Sequence, residues 1–179
     1  VKDYNKKKDG GKFEVQDFYK HPELFESNFK RFSDIGDMYI PCHYWDARAP
    51  FIFSREDAKH PDFNLKIIAD ISCDIDGPVA STLRPSTIEE PLYGYNPQTE
   101  SETNFMDTNS IGVMAVDNLP CELPRDASED FGNELLTKVL PSLIREDSET
   151  IIERATICEK GKLTSYFSYL QGYVDGESI

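Results

Sequence analysis

Three polar clusters follow apolar runs in the sequence. They are Pro41-Cys42-His43 with Arg48 beyond, Ser72-Cys73-Asp74 with Asp76 and Gly77, and Asp117-Asn118 with Arg125. If the apolar runs are strands of one open α/β sheet, these clusters sit beyond the carboxyl ends, where such sheets bind ligands. Their convergence would make one crevice. The pairs Glu89-Glu90 and Asp74/Asp76 fit acid–base work. Asp, Asn and Pro also collect in loops for turn geometry, so both readings stand for each residue.

The elements that must position these clusters can be read from periodicity. Pro22 opens a helical pattern in which Leu24, Phe25, Phe29 and Phe32 recur near i, i+4 and i+7 until Gly36. Met38-Tyr39-Ile40 reads as a short buried strand stopped by Pro41, and Ser54 caps a short helix with Asp57 at its third position. Leu65 to Ile71 is the clearest strand, nearly continuous in apolar residues as a doubly covered strand is. From Pro78 to Ser110 the chain is rich in Pro, Ser, Thr and Asn and predicts a long excursion with at most short strands. Ile111 to Val116 forms another buried strand. After Pro124, with Asp126 or Ser128 as cap, Phe131, Leu135, Leu136, Val139, Leu140 and Leu143 share a helix face. Ser148 to Ile157 and Leu163 to Val174 are again helical in pattern. This cadence predicts an α/β domain with a parallel sheet, about one half of a doubly wound nucleotide domain.

The expected organisation is a flexible polar lead-in over 1–17, the α/β half-domain over 18–147 with its excursion at 78–110, and a helical segment over 148–179. The opening Val1 and the lead-in KDYNKKKDGGKFE suggest a piece of a longer protein.

Composition narrows the function classes. Over 179 residues, 19 Lys and Arg against 33 Asp and Glu leave a formal charge of −14, which argues against a nucleic-acid surface or an anionic membrane surface as partner. No apolar run reaches the ~18 residues of a membrane span. Cys42, Cys73, Cys121 and Cys158 form no CxxC pair, so they read as buried free thiols in a reducing cytoplasm rather than a metal or redox site. No GxGxxG, P-loop or GxSxG turn occurs.

Specific stretches carry a resemblance. IIADISCDIDGPVASTLRPSTIEEPLYGY and GVMAVDNLPCELPRDASEDFGNELL, with YKHPELFESNFKRFSDIGDMYIPCHYWDARAPFIFSREDA before them and GKLTSYFSYLQGYV after, resemble the lysine–ketoglutarate reductase domain of the saccharopine dehydrogenase family. The wider superfamily is that of alanine dehydrogenase and transhydrogenase. The likeness covers nearly all of the chain from Phe18. It implies the C-terminal half of a Rossmann-like domain with parallel strands that binds NAD or NADP, the choice not being legible. By the same resemblance Asp74, Val116, Asp117, Asn118 and Leu119 line the nicotinamide and substrate side, with Arg125 in the same loop, and Pro41 and Cys42 lie nearer the cofactor's centre. Asp117 and Arg125 are then substrate-side residues, Asp117 orienting an amine or a catalytic cation, while Asp74 steers a ribose or an iminium.

The family's proton-transferring Lys and His, its substrate-binding Arg and its glycine-rich phosphate turn lie in parts not matched here. No catalytic residue is therefore expected in this chain, and its expected partners are the N-terminal half of the parent, an amino or keto acid, and further copies of itself as a homo-oligomer. The implied activity is the reductive condensation of lysine with 2-oxoglutarate to saccharopine, or its reverse. An alanine-dehydrogenase-like deaminase and a non-catalytic binding module are the alternatives.

Overall fold

The computed structural model describes residues 2–176 and divides the chain into two compact units, Val1–Glu122 and Leu123–Ile179. In the first unit, β1 (Asn5–Lys7) pairs antiparallel with β2 (Phe25–Ser27), with α1 (Val15–Lys20) between them. Residues 1–17, expected to be a flexible lead-in, thus contain a paired strand. Tyr4 packs edge-on against Phe29 and Phe32, each with centroids 5.3 Å away.

The helix expected from Pro22 to Gly36 is broken. Pro22–Leu24 forms a 3-10 turn, Phe25–Ser27 is β2, and only α2 (Lys30–Ser33) is helical. The apolar spacing is real, but burying Phe25 and Phe29 takes a strand followed by a turn, and tertiary packing overrides propensity in so short a segment. β3 (Met38–Tyr39) follows, then α3 (Arg55–Ala58), which begins at a complete Ser54/Asp57 capping box.

The main sheet is mixed, in the order β3-β4-β7-β5-β6. β3, β4 (Ile67–Ala69) and β7 (Ile111–Met114) run parallel, with Met38 opposite Ile67 and Ile68 opposite Val113. β5 (Leu92–Asn96) lies antiparallel to β7, and β6 (Ser101–Thr103) antiparallel to β5. The chain is thus α/β with parallel strands, and the excursion contributes an antiparallel hairpin at one edge. Ile68, Val79, Tyr95, Val113 and Ala115 are fully buried at its centre.

The second unit begins with α4 (Pro124–Glu134), which runs through a π-helical turn at Leu135–Val139 into α5 (Leu140–Ile144). Pro141 lacks the N–H that would continue the regular ladder, which accounts for the widened turn ahead of it. Phe131, Leu136 and Leu143, on the anticipated apolar face, are exposed. After α6 (Ile151–Ala155), the strands β8 (Cys158–Glu159) and β9 (Lys162–Leu163) make a hairpin, followed by a kinked 3-10 segment, Ser165–Leu170, and α7 (Gln171–Val174). The expected helices at 148–157 and 163–174 are therefore shorter and separated by strands. The cysteines also depart from expectation, since Cys42, Cys121 and Cys158 are exposed and Cys73 half-buried.

Candidate functional site

Backbone hydrogen bonds carry the parallel sheet one step past its strands. Asp70 N donates to Met114 O over 2.7 Å, and Ile71 N donates to Pro41 O over 3.0 Å. The loops after β3, β4 and β7 therefore leave the sheet side by side. Ser86 fastens the last of these: its N donates to Ala115 O over 2.8 Å, and its Oγ accepts from Ala115 N over 2.9 Å.

Asp70 organises the turn beyond β4. Its side chain is fully buried, and Oδ1 accepts from Ser72 N at 3.1 Å, Ser72 Oγ at 2.5 Å and Cys73 N at 3.3 Å, while Oδ2 accepts from Thr82 Oγ1 at 2.5 Å. Cys73 and Asp76 are left-handed, each with φ 52°, a region costly for residues with a side chain and concentrated at functional sites. Gly77 N donates to Asp74 O over 3.0 Å, and a Cβ on Gly77 would lie 2.6 Å from Asp74 Cβ, so only glycine permits this approach. Arg55 Nη2 holds Asp76 Oδ1 at 3.0 Å, which ties α3 to the far side of the turn.

The electrostatics register the convergence. Burial, with the charges of Asp70, Asp117 and Asp74, pushes the Cys73 thiol up to about 11. Burial and the Asp70 charge raise the Asp74 carboxyl above its usual range, against the opposing influence of His43. Burial keeps the His43 imidazole below its ordinary value despite the pull of Asp70 and Asp74. His43, Asp70–Asp74 and Asp117, from three strand ends, thus share one neighbourhood.

The anticipated residues separate as follows. Pro41 and Val116 are buried, Asp74 and Leu119 half-buried, and Cys42, Asp117 and Asn118 exposed. Arg125 belongs to the first turn of α4, in the second unit. Arg48 is committed to Asp46 through bonds of 3.0 and 2.8 Å, and Glu89 and Glu90 are exposed in the excursion. Sequence reasoning did not single out Thr82 and Ser86, whose partners lie 12 and 29 residues away. Asp70, a charged residue inside an apolar run, was the available signal for a buried, fully bonded carboxylate.

The set fits part of a nicotinamide dinucleotide. Asp74 and Asp117 have no ion pair among the described residues, so their carboxylates are free to accept from hydroxyl, amide or ammonium groups, and half-buried Leu119 adds apolar surface. A pyrophosphate would not suit so acidic a turn. Among the described residues no group of three or more His, Cys, Asp or Glu is placed to hold a metal ion, and no helix is long and apolar enough to cross a membrane.

No family model matches the chain. Comparison with individual proteins is more informative. The chain is similar to the alpha-aminoadipic semialdehyde synthase of Arabidopsis thaliana, 33% identical over 166 residues that cover 88% of this chain and 16% of that protein. The mitochondrial protein of that name from Mus musculus is 27% identical over 194 residues, covering 92% of this chain and 21% of its own length. The saccharopine dehydrogenase [NAD(+), L-lysine-forming] of Neurospora crassa is 29% identical over 112 residues, 63% of this chain and 29% of its own. The chain belongs to the saccharopine dehydrogenase family. It spans between 16% and 29% of the length of these three family members. These relatives are oxidoreductases of saccharopine and lysine metabolism, and NAD(+) stands in the name of the fungal member.

Proposed function

We propose that this chain forms the nicotinamide and substrate wall of an NAD- or NADP-dependent oxidoreductase that joins lysine and 2-oxoglutarate into saccharopine, or cleaves it. The observation that carries the reading is the acidic turn 70–77, fixed by buried Asp70 and set beside the ends of β3 and β7.

When bound, the cofactor supplies or accepts a hydride. This chain's part is positioning and electrostatics. Asp74 accepts from a ribose hydroxyl or stabilises the cationic nitrogen formed as amine and keto acid condense. Asp117 orients the substrate amine, and Val116, Asn118 and Leu119 bound the ring side. Pro41 and Cys42 lie toward the cofactor's centre. Proton-transferring groups come from the rest of the parent, so the chain by itself has no turnover.

The test follows reduced-cofactor absorbance with the full parent reading frame, adding lysine plus 2-oxoglutarate or, as the control, pyruvate plus ammonia. Loss of absorbance only with lysine and 2-oxoglutarate is expected. Loss only with pyruvate and ammonia would overturn the substrate assignment, and silence with both would overturn the oxidoreductase reading.

A further inference from the structure

Arg55 joins the acidic turn to a distant part of the first unit. It donates through Nη2 to Asp76 Oδ1 over 3.0 Å and through Nη1 to Glu100 Oε2 over 3.2 Å. Asp76 lies in the acidic turn, and Glu100 in the turn between β5 and β6. Lys59, one helical turn later than Arg55, takes the other oxygen of Glu100 at 2.5 Å and pairs with Glu56 at 2.8 Å. One guanidinium thus spans from the strand-end crevice to the tip of the edge hairpin.

Both carboxylates that Arg55 holds sit on left-handed backbone, each with φ 52°. A residue with a side chain occupies that region at a cost and stays there only where its surroundings hold it. Asp74 O accepts from Gly77 N over 3.0 Å, so Asp76 is the third residue of a tight turn. Where that position is left-handed, glycine is the usual occupant. An aspartate there needs a tie that a glycine would not.

The other end of the tie is fixed. α3 opens on its capping box, with Ser54 N donating to Asp57 Oδ2 over 2.8 Å and Asp57 N to Ser54 Oγ over 3.1 Å. Just before it, Ile52 N donates to Pro78 O over 2.8 Å and Phe53 bridges Val79. The segment leading into α3 is therefore fastened to the exit of the acidic turn. An exposed ion pair taken singly contributes little to stability. Here one side chain is ordered for two partners, and its effect falls on the geometry of the turn.

We propose that Arg55 is a positioning residue of the crevice, locking Asp76 and thereby setting, through the Asp74–Gly77 turn, where the Asp74 carboxylate stands. It acts through Asp76 rather than by touching cofactor or substrate. The inference rests on the reading of Asp74 as a group that faces cofactor or substrate, and the test separates the failure of one from the failure of the other.

The test measures kcat/KM of the full parent for lysine plus 2-oxoglutarate in Arg55→Met, in Asp74→Asn and in the two combined, with the melting temperature of each. Arg55 is exposed, so its replacement leaves the core intact. Arg55→Met alone should lower kcat/KM about five-fold. Added to Asp74→Asn it should lower kcat/KM by less than about two-fold further, because the group it positions is already gone. Its effect on melting should be the same in both backgrounds, whereas a merely structural role would carry the same loss of activity into both. Arg55→Lys keeps the charge without the two-pronged fork and should recover part of the loss. Asp76→Gly, whose backbone takes the turn unaided, should make activity insensitive to Arg55→Met. Wild-type kcat/KM in Arg55→Met beside an impaired Asp74→Asn would overturn the inference and leave the crevice reading intact, as would equal losses with and without Asp74. Wild-type kcat/KM in Asp74→Asn would instead overturn the reading of Asp74, and the inference with it.

Discussion

Thr82 Oγ1 donates to Asp70 Oδ2 over 2.5 Å, and both residues are buried. This bond fixes the start of the excursion to the end of β4, so the acidic turn between them is held at both ends. Replacing the hydroxyl leaves a buried carboxylate oxygen unpaired. Thr82→Val should cost about 1.5–3 kcal/mol, the range for a hydrogen bond to a charged group. The check is a lower urea midpoint at unchanged slope, and a cost below about 0.5 kcal/mol would show that the bond does not hold the turn.

Gly77→Ala tests the close approach inside the turn. The added methyl would meet Asp74 Cβ at 2.6 Å and Asp74 O at 2.7 Å, which predicts a loss of about 1–3 kcal/mol from overpacking. Gly132, inside α4, has nothing within 4 Å of an added Cβ. Gly132→Ala should therefore stabilise its helix by about 0.5–1 kcal/mol. Thermal melts of the two variants should move in opposite directions, and a shared direction would contradict the contrast.

Asp74 gives a pH dependence. Its folded carboxyl titrates above the ordinary 3.8, chiefly through burial and then the Asp70 charge. Well below 3.8 the group is protonated folded and unfolded and costs nothing. As pH climbs through 3.8 toward the folded value, the unfolded chain releases its proton first and stability falls; above that the penalty is constant. Asp74→Asn should therefore melt higher than the parent at neutral pH, with the gap closing in acid. A lower melting temperature for the variant at neutral pH would reverse the sign and defeat the argument. Stability given up by a half-buried carboxylate without an ion pair is common where a side chain is kept for a ligand.

Phe131, Leu136, Leu143 and Ile144 are all exposed along the segment from α4 to α5, more apolar surface than scattered single residues account for. We predict that the chain by itself associates. Sedimentation should give a species heavier than one chain, and a single compact monomer at all concentrations would refute this.

What the sequence made legible follows from periodicity. The runs Leu65–Ile71 and Ile111–Val116 announce parallel strands because they are nearly continuous in apolar residues; the fold keeps Ile67–Ala69 and Ile111–Met114 of them, and leaves Ile67 exposed. Their polar termini mark the crevice. Phe25, Phe29 and Phe32 mislead because one helical spacing serves a strand and a short helix in turn. The β5–β6 hairpin carried its own signal, alternating Tyr93 and Tyr95 before the Asn96-Pro97 turn, but the surrounding Pro, Ser and Thr obscured it. The left-handed Cys73 and the Thr82–Asp70 bond depend on contacts across the fold, which no local pattern encodes.

The most direct measurement compares kcat/KM of the full parent for lysine plus 2-oxoglutarate with that of Asp117→Ala and Asp74→Asn, using exposed Glu89→Gln as control. The crevice account predicts that each aspartate variant folds and loses about 1.5–3 kcal/mol of transition-state stabilisation, the value of hydrogen bonds to charged groups, while Glu89→Gln retains full activity. Wild-type kcat/KM in both aspartate variants would contradict the assignment of this strand-end crevice to cofactor and substrate.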